Sequence, residues 1–291
     1  MYASPIPIAT RRATCNWRVL TVALLAFVGL VARMLPLYLA LTRKPFHVPT
    51  ASGCTRIVPR VVHATGAGNE PSRHTVRSAT DGYTLRYYND SQSVDFVRRM
   101  CGKDVAFAMS CLRPGAFRAD VFRMCAMYTV GGVYMDSDIL AVQPLDEVFD
   151  GCVHASIALD KPSFVVRHLE TIEKKQMAFM AAAPGHPMFR CHMEAVVRNV
   201  EEHFVPHRSV GITGPIVFHE CYSKHSDNVS VGLVDSGRPC SVFRTTTGEI
   251  AALQVESGPK KRDFVSMFEH GAVYGCPKRK HRQRTGDVSG E

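Results

Sequence analysis

The sequence lacks the short signatures of several common site types. Its ten cysteines include no CxxC pair, so their spacing does not support a zinc site. Neither GxGxxG nor GxxxxGK[ST] occurs, which argues against a dinucleotide fold and a P-loop. Tryptophan occurs once, and no internal repeat is visible. What is present is an ordinary globular balance, 46% hydrophobic and 21% charged, in 291 residues, enough for one catalytic domain and an anchor.

The sequence also lacks a strongly basic stretch in its middle, although its net charge is +9. Five positive charges lie between Lys278 and Arg284, and three more lie between Arg11 and Arg18. The rest of the chain is close to neutral. We therefore expect no nucleic-acid partner.

One long apolar run, Val19 to Leu41, is present near the amino end. A bilayer helix needs roughly 20 residues, Arg33 can snorkel to the interface, and the flanking basic residues slightly favour a cytoplasmic amino end. The alternative is a cleaved signal peptide whose core ends near Ala32. The sequence predicts the following segments: a cytoplasmic tail (1–18), a transmembrane signal anchor (19–41), a stem (42–55), a catalytic domain (56–276) and a basic disordered tail (277–291).

Nine cysteines follow the apolar run, and in a lumenal domain some of them are expected to pair. Cys101–Cys111 and Cys221–Cys240 are candidate pairs. The alternative is that several cysteines are small buried apolar residues, and we interpret Cys125 in this way.

The rest of the chain is organised around the stretch RADVFRMCAMYTVGGVYMDSD, Arg118 to Asp138. It predicts a helix in which Asp120 and Arg123 share a face, then a glycine turn and a short apolar strand. Asp136 and Asp138 follow at the carboxyl end of this strand, where an open α/β sheet usually places its ligand. Residues two apart in a strand point the same way, so both carboxylates are expected to face one divalent cation.

This stretch resembles the DxD-containing sugar-nucleotide transferases of glycosyltransferase family 32, whose pattern is roughly aDllRy-iLy-yGGiYlDtDi. The resemblance implies a single Rossmann-like α/β domain of the GT-A type, with a mixed, mostly parallel sheet flanked by helices. The alternation of elements along the chain agrees with a βαβ arrangement. Expected strands are 56–63, 83–88, 133–135 and 153–159, and expected helices are 71–79, 91–101, 188–204 and 216–223.

The resemblance also assigns residues outside the central stretch. His63 ends the first strand and either lies beside the nucleotide base or is a structural histidine. Tyr88 and Asp90 are expected to contact the nucleoside. Thr213 and Gly214 belong to a TGP turn that either caps a helix or contacts phosphate or acceptor. His270 is a candidate third protein ligand of the cation, whereas we expect His192 and His203 on a solvated helix surface.

The implied chemistry is a retaining transfer of a hexosyl group from GDP-mannose, UDP-galactose or UDP-GlcNAc to a glycan or glycolipid. Asp138, with Asp136 and His270, is expected to hold Mn²⁺ or Mg²⁺, while Asp120 and Arg123 hold the donor sugar. A type II Golgi or ER membrane enzyme is expected. The alternatives are a degenerate sugar-binding membrane protein and a metal-dependent phosphoryl hydrolase or transferase. Of two sequons, Asn228 is expected to accept a glycan and Asn89 is not.

Overall fold

The structure is a computed structural model that describes residues 54–79, 82–160, 163–165, 170–172, 175–235, 242–245, 247–255 and 263–278. All of them lie in one compact unit, residues 44–291. The predicted anchor, nearly all of the predicted stem and most of the basic tail lie outside the described residues. Within the ranges given, no helix combines the length and apolar character needed to cross a membrane.

The strands and helices alternate along much of the chain. The strands are β1 Val61–Thr65, β2 Thr84–Tyr88, β3 Gly132–Met135, β4 Ile139–Ala141, β5 Ala155–Leu159, β6 Ser163–Val165, β7 Glu170–Ile172, β8 Lys175–Ala182, β9 Val229–Asp235, β10 Val242–Thr245 and β11 Ile250–Gln254. The helices are α1 Arg73–Ser78, α2 Asp90–Met100, α3 Lys103–Cys111, α4 Gly115–Thr129, α5 Leu145–Val148, α6 Pro187–Glu201, α7 Pro215–Lys224 and α8 Asp263–Glu269, with a 3₁₀ turn at Ser209–Gly211. The expected helices are confirmed to within a few residues at their ends, and the first expected strand is confirmed only over its last residues.

The main sheet of the described residues has the order β2-β1-β3-β8-β5-β9-β10-β11-β4. Three neighbouring pairs are parallel: β1 with β2, β1 with β3, and β5 with β9. The other five are antiparallel. The mixed sheet agrees with expectation, but the expected parallel majority is wrong. Only the first strands follow βαβ connections; β10 and β11 form a hairpin, and parallel pairing requires a longer crossover.

Apolar side chains bury both faces of this sheet. On one face, Phe122 and Met127 of α4 pack with Phe189 and Val196 of α6. On the other face, Phe149, Phe179 and Phe243 form a second cluster. Helix α4 is therefore buried on nearly every side in its second half, where the sequence is largely apolar apart from Arg123, as expected for a helix inside a core.

Helix caps agree with the local sequence. Asn89 caps α2 in a capping box with Gln92, and Ser72 caps α1 by accepting from the amide of Thr75. The Asn89 side chain is thus engaged in the fold. Asn228, at the other sequon, is exposed and has a φ of 56°, so glycan acceptance at Asn228 remains our prediction.

Four disulfides join the described cysteines, namely Cys54–Cys152, Cys101–Cys125, Cys111–Cys276 and Cys191–Cys221. Both expected pairs are therefore wrong, and so is the interpretation of Cys125 as an unpaired buried residue. The expected pairs join cysteines that are close in sequence, whereas the observed partners lie up to 165 residues apart. Tertiary packing, which brings α2 against α4 and the carboxyl-terminal segment against α3, selects the partners.

The two histidines expected on a solvated helix surface are placed differently. His192 is fully buried in α6, and its Nε2 lies 2.7 Å from the carbonyl oxygen of Thr213. His203 follows α6 with a φ of 48° and stacks on Tyr274 at a centroid distance of 4.4 Å. The expectation is wrong for His192 because α7 and the turn before it cover that face of α6.

Candidate active site

The candidate site lies at the carboxyl end of β3, and the turn from α4 into β3 positions this strand. Gly131 and Gly132 make the turn with φ values of 70° and 96°. Residues other than glycine rarely adopt a backbone conformation with such positive φ values. A Cβ on Gly132 would collide with the carbonyl oxygen of Val61, and one on Gly131 would lie 2.6 Å from that of Ala182. Glycine at both positions lets β3 lie between β1 and β8. Asp136 is thereby positioned at the carboxyl end of this interior strand.

Arg123 connects the acidic residues of the site. One guanidinium nitrogen, Nη2, lies 3.3 Å from Asp120 and 3.0 Å from Asp136. The other, Nη1, donates to the carbonyl of Met177 on β8 at 2.8 Å. Arg123 is only 6% exposed. Burial opposes its charge, but Asp136 and the other nearby acidic groups outweigh burial and raise the pKa of the guanidinium, so Arg123 stays charged.

Tyr134 supports the same network from within β3. Its hydroxyl donates to Asp136 at 2.8 Å, and the Arg123 guanidinium lies 4.7 Å from the centre of its ring. Tyr134 is fully buried, and burial raises the pKa of its hydroxyl well above the usual value. The hydroxyl therefore remains a donor at neutral pH and holds one face of the Asp136 carboxylate.

Asp120 is held by a residue far away in sequence. The hydroxyl of Thr213, which is fully buried, donates to Asp120 Oδ2 at 2.7 Å. A carbonyl oxygen only accepts, so His192 donates to the Thr213 carbonyl from Nε2. Burial lowers the pKa of His192 to about 4 and keeps the ring neutral. Burial raises the pKa of Asp120 to about 6, against the opposing effects of Arg123 and the Thr213 hydrogen bond. Asp120 is thus mainly ionised at neutral pH.

Replacing Thr213 by valine is expected to shift the acid limb of the pH–activity profile to higher pH. The Thr213 hydrogen bond lowers the pKa of Asp120, and a bond to a charged group contributes about 1.5–3 kcal/mol. Without it, Asp120 is protonated at a higher pH, and protonation removes an acceptor and a charge. The measurement is donor turnover between pH 5 and 8. Thr213→Ser keeps the hydroxyl and should keep the wild-type limb; coincident limbs in valine and wild-type enzymes would contradict the expectation.

Asp138 is held by the end of β11, the strand that pairs with β4. It is 5% exposed, and its Oδ2 accepts from the side-chain amide of Gln254 at 2.9 Å. Its backbone carbonyl accepts from the amide of Val255 at 2.8 Å. Residues 136–138 form a turn between β3 and β4, so the strand alternation used to predict the direction of the two carboxylates does not apply there. Both carboxylates contribute to raising the pKa of the Arg123 guanidinium, Asp136 most and Asp138 least among its acidic neighbours.

A comparison with family models matches the part of the chain that contains Asp120, Arg123, Asp136 and Asp138. Residues 73–153, from α1 through both aspartates, match the family described as "Glycosyltransferase sugar-binding region containing DXD motif". This match supports a transferase enzyme of the glycosyltransferase type. No curated protein matches the chain. Among solved structures, it is similar to "PaToxG Glycosyltransferase", with 14% identity over 67% of this chain and 76% of that chain, and a TM-score of 0.44.

Regions of this DXD type generally bind a divalent metal and a nucleotide sugar. The carboxylate oxygens of Asp136 and Asp138 are chemically suited to such an ion. Carboxylate oxygens are hard ligands that suit Mg²⁺ and Mn²⁺. Among the described residues, no group of three or more His, Cys, Asp or Glu side chains is arranged to hold a metal. Mg²⁺ is usually held by one or two carboxylates and completed by substrate phosphates and water.

His63, in β1, contacts the glycine turn that precedes β3. It is fully buried, and its Nε2 lies 3.0 Å from the carbonyl of Gly131. Burial lowers its pKa to about 4 and keeps the ring neutral. The carbonyl oxygen of Gly131 only accepts, so His63 donates to it from Nε2. His63 therefore braces the glycine turn, which favours the structural alternative over contact with a base.

The other predicted site residues are Tyr88, Asp90, Gly214 and His270, and each has a defined place in the fold. Tyr88 packs its ring against Phe96 and Phe122, and Asp90 accepts from Arg118 at 2.7 Å. Gly214 is the buried amino-terminal cap of α7. His270 follows α8, is exposed, and has its Nδ1 2.7 Å from the carbonyl of Ser266. Their roles toward a ligand remain predictions.

Three parts of the site were missed by sequence reasoning: the Tyr134 hydroxyl, the Met177 carbonyl and the Gln254 amide. Tyr134 lies inside an apolar run, where its ring suggested only core packing. A backbone carbonyl has no sequence signal. Gln254 lies at the end of an ordinary apolar strand, and only the pairing of β11 with β4 brings it to Asp138.

Proposed function

We propose that the chain is a metal-dependent, retaining hexosyltransferase of the family 32 type. It would transfer the sugar of GDP-mannose, UDP-galactose or UDP-GlcNAc to a glycan or glycolipid acceptor. The observation that carries this proposal is the buried network of Asp120, Arg123 and Asp136 beside Asp138, at the end of β3. All four of these residues lie within the matched region, residues 73–153.

Each residue has a chemical task in this proposal. A divalent cation, when bound, neutralises the charge that develops on the leaving diphosphate, and Asp138 with Asp136 would hold it. Asp120 accepts from sugar hydroxyls, and Arg123 donates in a rigid fork. Asp120, Asp136 and the carbonyls of Ala119 and Met177 hold its guanidinium in place. Because Arg123 and Tyr134 already bind Asp136, that carboxylate is oriented before any ligand arrives, which lowers the cost of ordering the site.

The proposed transfer proceeds on one face of the sugar. The chain shows no residue placed as a covalent nucleophile among those described at the site. The acceptor hydroxyl would attack from the side of the leaving diphosphate and pass its proton to a diphosphate oxygen as the glycosidic bond breaks. This route retains the anomeric configuration and gives an α-linked product.

The experiment that tests the function is a donor panel. Purified residues 48–291 are incubated with UDP- and GDP-sugars and Mn²⁺, and free hexose and nucleoside diphosphate are measured. We expect metal-dependent release from at least one donor and none with EDTA. Donor binding without release would indicate a degenerate sugar-binding protein, and phosphate release from simple phosphate esters would indicate a phosphoryl hydrolase.

We further propose that the catalytic domain is lumenal, anchored in the Golgi or ER membrane by residues 19–41. Four disulfides among the described residues support an oxidising compartment. In sealed microsomes, an external protease should leave residues 48–291 intact until detergent is added. Digestion before detergent would refute this topology.

A further inference from the structure

Strand β11 holds Asp138 at two points. The Val255 amide donates to the Asp138 backbone carbonyl at 2.8 Å, and the Gln254 side chain donates to Oδ2 at 2.9 Å. An ionised carboxylate only accepts hydrogen bonds, so the amide nitrogen of Gln254, and not its oxygen, must face Asp138. One strand therefore sets both the backbone position and the side-chain direction of this aspartate.

The rest of the turn is held by other elements. The Ser72 hydroxyl, before α1, donates to the carbonyl of Ser137 at 2.7 Å, and the amide of Asp136 donates to the carbonyl of Ala178 on β8 at 2.8 Å. The Asp136 side chain is bound by Arg123 and Tyr134. Arg123 and Tyr134 therefore contact the Asp136 carboxylate, whereas Gln254 contacts the Asp138 carboxylate.

We propose that Gln254 is a positioning residue that aims the Asp138 carboxylate at the divalent cation. This inference rests on the proposed function, because it requires that Asp138 binds the ion. A carboxylate that binds metal keeps its geometry through hydrogen bonds from neighbours, and losing such a neighbour typically weakens metal affinity by about 10–100-fold. The pairing of β11 with β4 delivers this neighbour through a contact 116 residues away in sequence.

The test is a direct metal titration of two variants. Gln254→Met keeps the side-chain length and removes the donor, and Gln254→Ala removes the side chain. Mn²⁺ binding is followed by electron paramagnetic resonance, alone and with UDP or GDP. We expect about 10–100-fold weaker Mn²⁺ binding in both variants, with thermal melting close to wild type. Turnover should recover toward the wild-type value at high Mn²⁺, because the ligand itself remains.

Two controls separate this inference from the proposed function. Gln143→Met makes the same change at a glutamine that pairs with β11 only through its backbone amide, and it should bind Mn²⁺ like wild type. Asp138→Asn should lose Mn²⁺ binding. If Asp138→Asn loses binding while the Gln254 variants bind as tightly as wild type, the positioning role is wrong and the function stands. If Asp138→Asn binds Mn²⁺ normally, or the wild type binds none, the proposed metal role is wrong.

Discussion

Asp138→Asn is expected to lower metal-dependent donor turnover by at least about 100-fold. Removing one preorganised charge-stabilising group from an active site costs about 10²–10³ in rate, and here the lost group is also the predicted ligand of the cation. Asparagine keeps the shape and the Gln254 neighbourhood but supplies no negative charge. The fold should persist, because Asp138 is held in place by the Val255 amide through its backbone carbonyl.

Turnover of the best donor is measured over a range of Mn²⁺ concentrations, with circular dichroism and thermal melting to confirm folding. Asp95→Asn is the matched control, since Asp95 is exposed on α2 and pairs with Arg98 at 2.9 Å. It should turn over donor at the wild-type rate. A folded Asp138→Asn enzyme with near-wild-type turnover would refute the assigned role of Asp138.

Arg123→Met is expected to lower the free energy of unfolding by about 3–5 kcal/mol, the usual cost of removing one partner from a buried ion pair. The change leaves Asp120 and Asp136 without their shared cation and the Met177 carbonyl without a donor. Arg123 normally lowers the pKa of Asp120, so in the variant that pKa rises above about 6. The carboxylate then becomes neutral at a higher pH, and the loss of stability should be largest above pH 7 and smaller at pH 5.

Urea unfolding at pH 5 and pH 8 measures both parts of this expectation. Arg190→Met is the matched control, because Arg190 is exposed and pairs with Glu194 one helical turn away. A pair of this kind contributes about 0.3–0.5 kcal/mol. Equal unfolding free energies for the two variants would show that the buried network does not stabilise the fold.

Local patterns in the sequence predict a large part of the fold and the centre of the site. Periodicity and capping residues locate α2, α4, α6 and α7, and the glycine pair with its following aspartates marks the end of β3. Asp120 and Arg123 are three residues apart on one helix, so their ion pair is also a local feature. The expected parallel majority of the sheet fails because strand direction depends on connections that no local pattern encodes.

The partners of the site residues are not local. Thr213 reaches Asp120 across 93 residues, and Gln254 reaches Asp138 across 116. Gln254 has no spacing that singles it out. Thr213 was expected to contact phosphate or to cap a helix, and its observed hydrogen bond to Asp120 differs from both roles. The disulfide partners follow the same rule, because the packing of helices decides which cysteines meet.

The sequence by itself determined that an acidic pair follows a buried strand and that a helical aspartate and arginine precede it, since one turn and one strand are enough to specify these features. Only the tertiary structure decided what holds each carboxylate in place. A hydrogen bond to a buried charge depends on where distant backbone segments meet, and that meeting is set by the packing of α7 and the pairing of β11 across the whole domain.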